Sequence, residues 1–170
     1  MSFLSRLFRP RDASADMRPL WHRIVEIARE PRWYEQYGLA DTVPGRFDAI
    51  TLVLVLVLLR MERDAALIPP SVRLTELFVD DMDGQLRQNG IGDLVVGKHM
   101  GKLMGVLGGR LGAFREALPQ GEAALSEVIV RNVTLLEGTD PLLATRAALE
   151  LAQTLAATSD SDLLAARIAR

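Results

Sequence analysis

The chain has 170 residues, enough for one domain with a proper core, and no second domain is expected. Hydrophobic residues make up 49% and aromatics only 5%, a Leu/Val/Ala-rich balance typical of helical packing, while a formal net charge of −2 argues against a nucleic-acid partner, which needs a basic surface. With no cysteine, disulfides and thiolate metal sites are excluded, and the only histidines, His22 and His99, lie far apart, so no His-based metal site, catalytic triad or bound cofactor is expected.

The N-terminus, MSFLSRLFRPRD, places Phe3, Leu4, Leu7 and Phe8 on one side of a helix and Arg6, Arg9 and Arg11 around the other, until Pro10 ends it. Such a basic amphipathic segment suits the headgroup region of an anionic membrane. It lacks the apolar core and cleavage site of a secretory signal, so no cleaved signal is expected. A frayed tail is the competing reading. Residues 1–12 are set apart on this ground from a helical domain over 16–170.

Within Asp16–Glu30, Leu20, Trp21, Ile24, Ile27 and Ala28 form a helical face. Trp33, Tyr34 and Tyr37 crowd the turn that follows Pro31. They form either a packing cluster or a half-wet lip for a partner, with Trp33 assigned to packing and the two tyrosines left open. Asp41 or Thr42 then caps a helix with Pro44 in its first turn. Its stretch Ile50–Leu59, ITLVLVLVLL, is apolar on every side but short of the roughly 20 residues a bilayer crossing needs. A helix apolar all round is the central helix of a bundle.

Ile68-Pro69-Pro70 reads as a rigid connector into a helix whose buried stripe is Leu74, Phe78, Met82 and Leu86, with Asp80, Asp83 and Arg87 on the other side. Asp81 falls by angle inside that stripe. It either pairs with a cation, Arg46 being the candidate, or lies at the edge of the stripe and reaches water. After Asn89-Gly90-Ile91-Gly92, a second helix runs from about Asp93 to Leu118. Val96, Met100, Leu103, Met104, Leu107, Leu111, Phe114 and Leu118 form its apolar stripe, and Gly101, Gly105, Gly108, Gly109 and Gly112 lie opposite, flanked by Lys98 and Lys102. Each interior glycine costs about 1 kcal/mol relative to alanine, so the row implies a need for a side-chain-free surface. Either a neighbouring helix of the same protein packs there or a partner helix docks. The expected division has Gly109 buried and Gly101 accessible. Pro119-Gln120-Gly121 breaks the chain. Helices follow with Leu125, Val128, Ile129 and Val133, then, capped by Asp140, with Leu142, Leu143, Ala147, Leu151 and Leu155. A last helix carries Leu163, Leu164 and Ile168. The predicted fold is all-α, a compact single-domain helical bundle around a central apolar helix.

The block DDMDGQLRQNGIGDLVVGKHMGKL, with IVEIAREPRWYEQYGLADTVPGRFDAITLVLVLVLLR upstream and GGRLGAFREAL downstream, resembles the ubiquinol–cytochrome c chaperone family, assembly factors of the cytochrome bc1 complex. The resemblance covers roughly Leu20 to Leu118. It departs mildly at Gln88, Asn89 and Ile91, and His99 keeps a commonly basic position. It implies a non-enzymatic chaperone that binds newly made cytochrome b, a polytopic membrane protein. It also implies a place at the cytoplasmic side of the inner membrane, peripherally bound, and for some relatives a small partner subunit. The surface expected to meet the client gathers Tyr34, Tyr37, Arg46, Asp80, Asp83, Arg87, Asp93, Lys98, Gly101, Lys102 and Gly105. Phe3, Leu4, Arg6, Leu7, Phe8 and Arg9 would touch the membrane. The alternative is a small carrier of haem or quinone using Met100 and Met104, although methionines at i,i+4 more often fill a core.

Overall fold

Helices form nearly all of the described chain: α1 (Arg18–Ala28), α2 (Arg32–Glu35), α3 (Val43–Met61), α4 (Ile68–Gln88), α5 (Asp93–Ala117), α6 (Glu122–Asn132), α7 (Pro141–Ala157) and α8 (Asp160–Leu164), with 3-10 turns at Ala65–Leu67 and Leu118–Gln120. A computed structural model supplies this architecture for residues 16–88 and 93–169, with side-chain surroundings described for 16–84 and 101–169. The N-terminal segment, and the side chains of Arg87, Asp93, Lys98, His99 and Met100, lie outside those bounds.

The centre is α3. Thr42 caps it, its side chain accepting a hydrogen bond from the Gly45 N–H at 3.2 Å, and Pro44 sits in the first turn, where its missing N–H removes no helix bond. Every residue from Asp48 to Leu58 is buried, because α1, α4, α5 and α7 all pack around this helix. The short link from α3 to α4 makes those two antiparallel neighbours. Pro69 and Pro70 belong to the first turn of α4 and not to a connector, a position where proline breaks no intrahelical bond. The face of α1 is the one its spacing predicts, with Leu20, Trp21, Ile24, Ile27 and Ala28 buried, and Trp21 meets Phe78 of α4 edge-on at 5.9 Å.

Packed on both α3 and α6, α7 buries Ala144, Thr145, Ala147 and Ala148 together with Leu151 and Leu155. Leu143, expected on that face, is exposed: at 100° per residue it falls just outside the arc that Ala147, Leu151, Leu155 and Ala148 occupy. Asp140 and Ser159 cap α7 and α8 by accepting from Leu142 N–H and Asp162 N–H. Arg60, at the end of α3, holds both helices, donating to the carbonyls of Leu155 and Thr158 and to the Asp160 carboxylate at 2.6 Å.

A short non-helical pairing ties the loop before α3 to the segment after α6. Gly38 takes φ +76°, which turns the chain so that Leu39 bridges Leu135, with Ala40 N–H donating to Thr134 O and Leu136 N–H to Gly38 O. A Cβ at Gly45 would strike the Ala40 carbonyl, so glycine there lets this loop lie on the start of α3. Thr134 is thereby brought beside Asp48.

Candidate docking site

Among the described residues the most buried ion pair is Asp48 with Arg110, where Asp81 with Arg46 was expected. Asp48 accepts from Arg110 Nη2 at 2.6 Å through one oxygen, and from Thr134 N–H at 2.9 Å and Thr134 Oγ1 at 2.6 Å through the other. Arg110 Nη1 donates to Thr51 Oγ1, and its guanidinium lies over the Phe47 ring, 5.7 Å from the centroid. Thr51 in turn donates to the Phe47 and Asp48 carbonyls, both at 3.1 Å. Among the described residues, the buried Arg110 Nε meets no hydrogen-bond acceptor. This network fixes the orientation of α5 on α3.

Asp81 is exposed, and Arg46 is taken by Asp41 at 2.6 Å on the surface. Leu77, Phe78 and Met82 around it are buried, so the stripe itself continues, and Asp81 lies at its edge, where the carboxylate reaches water.

Between α4, α5 and the end of α3 runs a groove of about 450 Å³. Leu58, Val72, Val79, Met104 and Leu111 make its apolar surface, and Glu62, Glu76 and Asp80 are its charged residues. Arg115 grips Glu62 through two bonds, at 2.9 and 2.7 Å, and Arg73 holds Glu76 at 2.9 Å. From Ser71 to Asp80 the α4 wall spans about 14 Å, some two and a half helical turns. Met104 was expected in the buried stripe of α5; it is 40% exposed in the groove, while Leu107, Phe114 and Ala117 carry the burial.

The glycine row continues this groove. Met104, Gly108 and Leu111 follow one another at i, i+4 and i+7, and Gly101, Gly105 and Gly112 lie on the adjoining flank. Gly101, Gly105, Gly108 and Gly109 are exposed, and a Cβ built on any of them meets nothing within 4 Å. No helix of the same chain packs there among the described residues, which overturns the internal-packing reading and the expected burial of Gly109. Gly84 is equally open on α4.

The expected site residues divide into two groups. Asp80 lines the groove, Gly101, Lys102 and Gly105 lie exposed beside it on α5, and half-buried Asp83 follows on α4. Tyr34 and Arg46 line a separate cleft of about 340 Å³ with Arg29, Pro31, Glu35 and Asp41. From Arg46 to Leu58 and Glu62 is 12 to 16 residues of α3, so the two places stand about 18–24 Å apart. Tyr34 OH donates to Ala28 O at 2.8 Å, and burial pushes its pKa up. Trp33 is fully buried, its indole N–H donating to Ile27 O, and Tyr37 lies edge-on to it at 5.5 Å, so this cluster is chiefly packing. Arg87, Asp93 and Lys98 have side chains outside the described residues. Glu62, Glu76 and Val72 were not among the site residues expected from sequence, and Leu111 was expected only in the apolar stripe of α5. They join the site only through the way α4 and α5 flank the end of α3.

Residues 35–169 match the family model described as ubiquinol–cytochrome C chaperone. The chain belongs to that family. Its fold is similar to the crystal structure of the Cbp3 homolog from Brucella abortus, with 31% sequence identity and a TM-score of 0.82 over 98% of this chain and 95% of that one. No curated protein matches. Membership in this chaperone family implies a client protein in assembly of the cytochrome bc1 complex, and the all-α bundle expected from sequence is the family fold. Among the described residues, no helix is long and apolar enough to cross a membrane.

Proposed function

We propose that the protein holds newly made cytochrome b during bc1 biogenesis, seating an apolar helix of that client along the α4/α5 groove and on the glycine row of α5. The observation that carries this reading is the open row itself, since four exposed glycines with nothing within 4 Å are costly in a helix unless an occupant uses them. A surface without side chains lets a client helix approach backbone to backbone, as membrane helices do with one another. Lys102 beside the row supplies charge for an acidic loop of the client or for lipid headgroups.

Peripheral contact with the cytoplasmic face of the inner membrane, through Phe3, Leu4, Arg6, Leu7, Phe8 and Arg9, would place the groove where a polytopic client emerges. Its support is the amphipathic pattern of those residues. A small partner subunit is compatible with this arrangement. The alternative, a haem or quinone carrier, fits less well: small-ligand sites enclose most of their ligand, whereas Met104 stands 40% exposed in an open groove.

The test places a photo-crosslinking residue at Met104, at Val72, or at exposed Val130 on α6 as control, in cells making the bc1 complex. Cytochrome b should be captured from the two groove positions and not from Val130. Equal capture at Val130, or none from the groove, would overturn the reading.

A further inference from the structure

Among the described methionines, Met104 alone is open to solvent. It is 40% exposed in the groove, whereas Met17, Met61 and Met82 are 2%, 0% and 7% exposed. The chain has no cysteine, so no thiol competes with it for an oxidant. An exposed thioether is the side chain that a hydroperoxide then meets. Its sulfur attacks one peroxide oxygen, the S–O bond forms as the O–O bond breaks, and the second oxygen leaves as water. Sulfur is oxidised by two electrons, to the sulfoxide, and the peroxide is reduced.

The surroundings decide what the new oxygen does. Met104 shares the groove with Leu58, Val72, Val79 and Leu111. A sulfoxide oxygen is a strong acceptor and needs a donor once an occupant excludes water. Among the described residues, the lining has no side-chain donor to spare. Its hydroxyls, on Ser71 and Thr75, already donate to the Ile68 carbonyl at 2.8 Å and the Ser71 carbonyl at 3.0 Å. Its other polar side chains, Glu62, Glu76 and Asp80, are carboxylates, which only accept when ionised. In the open groove the sulfoxide is hydrated; beneath an apolar helix its oxygen is stranded. Oxidation therefore acts against the occupied groove and not against the core.

We propose that Met104 is an oxidation site through which a hydroperoxide releases the occupant of the groove, and that enzymatic reduction of the sulfoxide restores docking. The oxidation itself needs no client; its effect on docking rests on the reading of the groove as the client site.

The first measurement treats the purified full chain with limiting hydrogen peroxide and then digests it with trypsin. Leu103–Arg110 carries Met104 as its one methionine, and Met61 and Met82 fall in other peptides. The Met104 peptide should gain one oxygen at least about tenfold faster than those of Met61 and Met82, at unchanged Tm. The second places the photo-crosslinking residue at Val72 and adds the protein to membranes that hold cytochrome b and lack the native chain. Peroxide should lower capture at least about fivefold, and methionine sulfoxide reductase should restore it. In Met104→Leu, the ratio of treated to untreated capture should stay near one. Oxidation of Met104 no faster than that of the buried methionines would overturn the site. Capture that survives full oxidation of Met104, or falls equally in Met104→Leu, would overturn the release and leave the client reading standing. No capture by the untreated chain that keeps Met104 would sink the client reading and the release with it, while the peptides alone decide the oxidation site.

Discussion

Replacing Asp48 by alanine should be among the most damaging single changes in the fold. The Asp48 side chain is 9% exposed and that of Arg110 12%, so solvent screens their contact little. Removing the carboxylate strips Arg110 of its charged partner and Thr134 of the acceptor for both its N–H and its hydroxyl, while Arg110 Nε already meets none among the described residues. Breaking one side of a buried pair costs about 3–5 kcal/mol. Unfolding entropy for a chain of this length is about 0.36 kcal/mol/K, so Tm should fall by roughly 8–14 °C in calorimetry. Asp81→Ala, at an exposed carboxylate, should cost under about 1 kcal/mol. The double variant Asp48→Ala with Arg110→Met should recover part of the loss, because no buried charge is then left alone. Matching midpoints for Asp48→Ala and Asp81→Ala, or a double variant worse than the sum of the singles, would refute the assignment of the buried pair.

Gly105→Leu and Gly109→Leu should fold normally and gain up to about 1 kcal/mol each in helix propensity, with client capture from Met104 lost; a fall in Tm for either would mean the row packs internally after all. Deleting Met1–Pro10 should move the protein from the membrane fraction to the supernatant with little change in Tm, and unaltered sedimentation with anionic liposomes would count against the membrane contact. Burial favours the neutral phenol of Tyr34, so the folded chain keeps that proton to higher pH than the unfolded one. The stability it contributes is whole below the ordinary tyrosine range near pH ~10 and is lost as pH rises through it; Tyr34→Phe should therefore shift alkaline unfolding, followed by circular dichroism, to higher pH.

Sequence periodicity was reliable where a helix stays over the core for its whole length. The faces of α1 and α6, the all-round burial of α3 and the Asp140 cap were legible for that reason. It failed at the margins of a covered face. A wheel angle gives Asp81 and Met104 a direction but not the width of the arc that neighbouring helices cover, and both are exposed although Met82 and Leu107 are buried. Asp48 was more legible than it first looked: in a helix apolar on every side, an acid one turn inside the start has no outer face to occupy. Its partner could not be read, because Arg110 lies 62 residues away and reaches Asp48 only through the packing of α5 on α3. On α7 the buried arc takes in Ala144, Ala147 and Ala148 and stops short of Leu143, a margin that hydrophobicity alone does not mark.

The same helix, α5, thus holds two requirements that its residues keep apart along its length. Its C-terminal half is anchored by Arg110 to Asp48, by buried Phe114 and Ala117, and by Arg115 to Glu62. Gly101, Gly105 and Met104, further toward the N-terminus, face open space or the groove. Glycines weaken a helix, but a helix held firmly at one end can carry them at the other without the fold unravelling from that point. Substitutions from Leu107 onward on the anchored side should therefore change stability first and binding as a consequence. Those at Gly101, Met104 and Gly105 should change binding while the bundle keeps its melting temperature, a separation expected only if the surface exists for something outside the core.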